Sequence, residues 1–103
     1  MSGLTDSERE EIYARTMETW GVDSQVKMAI EEMSELTQAL CKTWRDVAAE
    51  NPEEVVADIR EKLADVINMS AQLARMYGEE EVSRIRDEKL MRLRERIKSE
   101  EEK

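Results

Sequence analysis

Three glycines and one proline are the only strong backbone punctuation in this chain of 103 residues, and that scarcity limits what it can fold into. Gly21, Pro52 and Gly78 cut it into four stretches dominated by Ala, Leu, Met, Glu, Arg and Lys, and Phe is absent. These residue types lose little side-chain freedom in a helix, so the pattern predicts an all-α chain of four helices. The first runs from about Asp6 to Glu18, with Thr5 and Glu8 as a capping box and Ile12, Met17 and Trp20 as its apolar contributors. The second runs from about Gln25 to Ala49, capped by Asp23 or Ser24. Asn51 caps the third, with Pro52 in its first turn, and that helix continues to about Tyr77. Its apolar stripe comprises Val55, Val56, Ile59, Leu63, Val66, Ile67, Leu73 and Met76. Gly78 suits a left-handed cap. The fourth helix runs from about Glu80 towards Glu100, with Val82, Ile85, Leu90, Leu93 and Ile97 expected inward and the tail from about Ser99 frayed.

Size and charge narrow the function. The length suits one domain over residues 1–103, with a long central helical hairpin. Charged residues make up 40% of the chain and apolar ones another 40%, so a single copy can build only a thin core. A four-helix bundle completed by dimerisation, as a homodimer or a dimer of dimers, is therefore expected. A net charge of −9 argues against binding nucleic acid backbones. The absence of His removes imidazole acid-base catalysis, zinc fingers and Glu-x-x-His di-iron bundles. The lone Cys41 reads as a small core residue. No apolar run approaches the roughly 18 residues of a bilayer span, and no signal segment is evident. No membrane partner and a soluble, cytoplasmic protein are expected.

Chemistry gathers on two helices. In Met28-Ala-Ile-Glu-Glu-Met-Ser-Glu-Leu36, residues Glu31, Glu32 and Glu35 share one helical face. The apolar neighbours Ala29, Ile30, Met33, Leu36 and Leu40 mark that helix as one that packs. Carboxylates crowded on a half-buried helix need a counter-charge, and a divalent cation supplies one. Taken alone, the run reads first as a solvated acidic face. The third helix adds Asp58, Glu61, Asp65, Asn68 and Gln72, a second polar stripe at spacings of three and four. If the two helices pair antiparallel, three or four carboxylates can converge, a set suited to Mg²⁺ and to phosphate oxygens.

With both clusters in view, the chain resembles the MazG-like members of the all-α nucleoside triphosphate pyrophosphatases. That family carries Glu-Glu-x-x-Glu on one helix and Glu-x-x-Asp on the next. Here Glu31-Glu32-Met33-Ser34-Glu35 matches the first, and the second falls in Glu61-Lys62-Leu63-Ala64-Asp65-Val66. Trp20-Gly21, Gln25, Leu73-Ala-Arg-Met-Tyr-Gly78 and Lys89-Leu-Met-Arg92-Leu93 are similar too, so the likeness spans roughly residues 17–97. It implies hydrolysis of a nucleoside triphosphate to monophosphate and pyrophosphate with Mg²⁺, Mn²⁺ being a substitute. Carried over by position, Glu32, Glu35 and Asp65 are metal ligands, Glu61 is a fourth, and Glu31 and Glu35 are catalytic.

One position departs from the family pattern. Lys62 stands three before Asp65, where the family has Glu. Glu61 can take over the ligand role after a small helix rotation, or Lys62 can fill the slot and repel a metal. A catalytically weakened or non-catalytic helical module is thus the alternative. A phosphoribosyl-ATP pyrophosphohydrolase fits less well, because its second motif ends in a His that this chain lacks.

Holding a polyanion also takes cations. Lys42 on the second helix and Lys89 and Arg92 on the fourth are candidate phosphate contacts, with ion pairing to Glu88, Glu95 and Glu100 as the alternative for the last helix. Trp20 and Gln25 can wall and read a base, and Asn68 can touch sugar or phosphate. Trp44, Met69 and Met76 are candidates for burial between copies or within the subunit's own core.

Overall fold

The structure, a computed structural model, describes residues 3–45 and 52–103, without the side chains of residues 44 and 45. The described residues form four helices and no strand. The expected cap at Asn51, the second helix beyond residue 45 and the packing of Trp44 lie outside the described residues.

Helix α1 spans Asp6–Trp20 and begins as its sequence requires. The Glu8 backbone N–H donates to Thr5 Oγ1 at 3.1 Å, and the Thr5 N–H donates to Glu8 Oε1 at 2.8 Å. The bond from the Thr5 backbone holds the Glu8 carboxyl below its ordinary range. Gly21 ends the helix at φ +83°, a conformation that side chains with a Cβ rarely adopt. Helix α2, Val22–Arg45, follows at once. Asp23 therefore sits inside its first turn, where a carboxylate meets the positive end of the helix dipole, rather than at the cap. Helix α3 spans Pro52–Tyr77, with Pro52 at its first position and Glu53 and Glu54 in its first turn.

Two compact units divide the chain, Met1–Leu73 and Ala74–Lys103. In the first, α1 packs on α2 and reaches α3 through Tyr13, whose hydroxyl donates to Asn68 Oδ1 at 2.9 Å. Tyr13, not Ile12 or Trp20, is the buried residue of α1. Ile12 is one position off the face that carries Tyr13, Thr16, Met17 and Trp20, and it stays exposed. The buried apolar residues of the described chain are Tyr13, Ala29, Ala39 and Met69, a thin core. Met69 thus belongs to the subunit's own interior.

The α3 stripe splits in two. Val55, Ile59, Val66 and Leu73 are half-buried, whereas Val56, Leu63 and Ile67 are exposed. The face turned towards α2 is the neighbouring one, which carries Met69 and Gln72. Cys41 is exposed rather than in the core.

In the second unit Gly78 adopts φ +113° ahead of α4, which spans Glu79–Glu101 and so runs three residues into the expected frayed tail. Met76 is half-buried. No residue of α4 is buried, and Val82, Ile85, Leu90, Leu93 and Ile97 are exposed instead of inward. No helix among the described residues is long and apolar enough to cross a membrane.

Candidate functional site

The polar seams of α2 and α3 meet in a regular order. Lys62 Nζ lies 3.6 Å from Glu35 Oε2. One helical turn away, the Glu32 and Asp65 carboxyl groups come within hydrogen-bonding range of each other. Further along, Met28 and Met69, and then Gln25 and Gln72, line the same cavity. The two numbers in each of these four pairs add to the same total, the signature of two antiparallel helices in one register. Each helix advances by three, four and three residues along this seam, which keeps the four positions on one stripe.

The cavity has a volume of about 340 Å³. Glu32, Asp65 and Asn68 line its charged end, and Gln25 and Gln72 its amide end. Trp20, Met28 and Met69 supply apolar wall, while Thr16 and Ser24 complete the lining from α1 and the start of α2. Trp20 keeps 63% of its surface exposed, so an indole face is available beside the opening. Tyr13 supports the wall from behind. Its hydroxyl uses the acceptor end of Asn68, which leaves the amide NH₂ of that residue as a donor.

The electrostatics are those of excess negative charge. Burial first, then the charges of Asp65 and Glu35 and the contact with Asp65, push the Glu32 carboxyl above its ordinary value of 4.5. The Lys62 ammonium works the other way. Glu32 Oε2 is buried and has no hydrogen-bond partner among the described residues. Two carboxyl groups at such range need either a shared proton or a cation between them.

Lys62 occupies the seam itself. Its side chain is only 25% exposed, and the charge of Glu35, followed by those of Asp58 and Glu61, raises its pKa despite partial burial. It is therefore protonated at neutral pH and neutralises the Glu35 end of the cluster.

Five of the residues singled out in the sequence, Trp20, Gln25, Glu32, Asp65 and Asn68, line one cavity. Glu35 lies one turn along and faces Lys62. Glu31 and Glu61 are exposed and line no part of that cavity, and the same holds for Lys42. Lys89 and Arg92 are exposed on α4 in the other unit. There Glu88, Glu95 and Glu100 pair with Arg84, Lys98 and Lys103, at 2.8, 3.5 and 3.2 Å, and not with Lys89 or Arg92. The sequence left Tyr13 unnoticed and gave Gln72 no role of its own. Gln72 stood in the polar stripe of α3, and its spacing from Asp65 was the available signal.

Whether the donors suit a divalent metal can be tested on this geometry. Among the described residues, no three acidic or thiol side chains are grouped as a complete metal cage. What exists is a pair, Glu32 and Asp65, with one buried carboxylate oxygen unpartnered. Mg²⁺ typically takes one or two carboxylates, keeps several waters and shares substrate phosphates, so this pair fits that mode of binding. The chain matches no protein-family model, and neither a curated protein nor a solved structure matches it.

Proposed function

We propose that the chain is a Mg²⁺-dependent nucleoside triphosphate pyrophosphohydrolase, acting as a homodimer or a dimer of dimers. The observation that carries this reading is the buried, unpartnered Glu32 oxygen beside the Asp65 carboxyl, at one end of a cavity walled by Trp20, Gln25 and Asn68. The likeness to MazG-like pyrophosphatases in Glu31-Glu32-x-x-Glu35 and around Asp65 points the same way. In this reading water cleaves the α–β phosphoanhydride, releasing nucleoside monophosphate and pyrophosphate.

Glu32 and Asp65 would hold the cation. Mg²⁺ bound there supplies charge neutralisation for the phosphate oxygens, the main demand of phosphoryl transfer. Trp20 offers a stacking face for the base, and the free NH₂ of Asn68 offers a donor to sugar or phosphate. Lys62 holds a fixed positive charge at the far side of the acid pair and limits how many cations the seam accepts. Glu31 and Glu61, exposed on α2 and α3, are the proposed residues to orient water and complete coordination. Lys42, on α2 of the same unit, is a proposed phosphate contact, and Lys89 and Arg92 are proposed to bind phosphate from their own face of α4. Second-copy packing accounts for the exposed apolar residues of α4 together with Ile30, Leu40, Val56, Leu63 and Ile67 on α2 and α3.

One observation favours a second reading. The ion pair between Lys62 and Glu35 satisfies one carboxylate without metal, as expected of a non-catalytic helical module. Pyrophosphate release across the eight common ribo- and deoxyribonucleoside triphosphates separates the two. The enzyme reading expects Mg²⁺-dependent turnover that falls by on the order of 10²-fold or more in Glu32→Gln and Asp65→Asn. No turnover of any nucleotide, with no joint stabilisation by Mg²⁺ and a non-hydrolysable analogue, would establish the module instead.

A further inference from the structure

The amide end of the cavity carries chemistry that phosphate cleavage does not use. Gln25 and Gln72 are only 3% and 6% exposed, yet both line the cavity from facing helices. Gln72 Oε1 is buried with no hydrogen-bond partner among the described residues. A buried acceptor without a donor is destabilising in the unliganded protein, and buried side-chain carbonyls are ordinarily satisfied. Met28 and Met69 close the walls with soft apolar surface, and the indole of Trp20 lies open at the side. The occupant that completes this end is flat, apolar on its faces, and carries an N–H on its edge.

Resting on the nucleotide reading above, we infer that Gln72 determines base specificity, its Oε1 accepting a hydrogen bond from the exocyclic amino group of an adenine or cytosine ring. Gln25 lines the same end of the cavity from the facing helix. In the keto counterparts hypoxanthine and uracil, a carbonyl oxygen replaces the amino group. Two acceptors would then face each other at the buried Gln72 oxygen, so the keto base is rejected as well as less well held. Asn68 and the acid pair, one and two turns along α3, lie towards sugar and phosphates in this orientation.

Isothermal titration calorimetry with Mg²⁺ and the α,β-methylene triphosphates of adenosine, inosine, cytidine and uridine tests the assignment without turnover. Within whichever ring size the cavity accepts, the amino member is expected to bind at least about tenfold more tightly than its keto counterpart. Gln72→Met replaces the buried amide with an apolar chain of similar length. It is expected to bring the two members within about threefold of each other, with helical content and melting unimpaired because an unpartnered acceptor has been removed. Equal binding of amino and keto members by the wild-type protein, or a preference for the keto member, overturns the role of Gln72 and leaves the nucleotide reading standing. Binding of none of the four overturns the nucleotide reading itself. The wild-type comparison decides the matter even if Gln72→Met fails to fold.

Discussion

The α2–α3 seam and helix α4 repeat their stripes at similar helical spacings and reach opposite ends. On the seam Gln25, Ala29, Ala39, Met69 and Gln72 are buried, although most of the stripe is polar. On α4 Val82, Ile85, Leu90, Leu93 and Ile97 form a stripe of larger apolar residues, and all of them are exposed. Apolar periodicity therefore measures a helix's need for a partner and not whether its own chain supplies one. A helix of 23 residues with nothing buried lacks the packing that normally stabilises helices. The seam is narrow and closes on charged and amide groups, so it offers a candidate site more than it contributes stability.

The sharpest way to break that contrast is to remove apolar volume from each side. Met69→Ala is expected to cost about 2–5 kcal/mol, as for a buried methionine, independently of protein concentration. Leu93→Ala is expected to destabilise only to the extent that a second copy covers it. Its effect on the melting temperature should grow with protein concentration, and its sedimentation profile should shift towards monomer. A concentration-independent loss at Leu93 would mean that the apolar face of α4 is satisfied within one chain.

A smaller effect probes the charge of the seam. The Glu32 carboxyl is raised above 4.5 in the folded protein, chiefly by burial and the charge of Asp65. The folded state therefore binds this proton more tightly than the unfolded state. The associated stability is fully present below the unfolded value and is lost as pH rises through the raised one. Glu32→Gln keeps the shape and removes the charge. Without divalent cations it should melt close to wild type near pH 4 and increasingly above wild type as pH rises towards 8. Added Mg²⁺ should then stabilise wild type and leave the variant unmoved. A melting difference that stays flat across this range would show that the Glu32 charge is well solvated, and the metal pair would lose its electrostatic basis.

Much of this architecture is legible in the sequence. Thr5 with Glu8, Gly21, Pro52 and Gly78 mark element ends because their backbone chemistry is local. The convergence of Glu32 with Asp65, and of Trp20, Gln25 and Asn68 around them, is legible because polar spacings of three and four on adjacent antiparallel helices leave few ways to meet. The partner of Lys62 was not. Its stem can lie along the seam or swing outward, and only the position of Glu35 on the facing helix settles the choice. The fate of the α4 stripe was illegible for a different reason, since nothing in one chain's periodicity says which surface covers it. Tyr13 escaped notice because the adjacent Ile12 reads as the apolar residue, although Tyr13 shares the helical face of Met17 and Trp20.

That tyrosine gives the finest test of the comparison, because it ties α1 to the site without lining the cavity. Its hydroxyl donates to Asn68 Oδ1 at 2.9 Å, and its side chain is buried. Tyr13→Phe keeps the ring and removes one hydrogen bond, so it is expected to cost about 1 kcal/mol of stability. More tellingly, the Asn68 amide loses the contact that fixes which of its ends faces the cavity. Nucleotide affinity should fall by a few-fold in Tyr13→Phe, and Asn68→Ala should add no comparable loss once Tyr13 has been changed. Independent, additive losses at the two positions would mean that α1 braces the seam through packing alone and that the orientation of Asn68 is set by α3 itself.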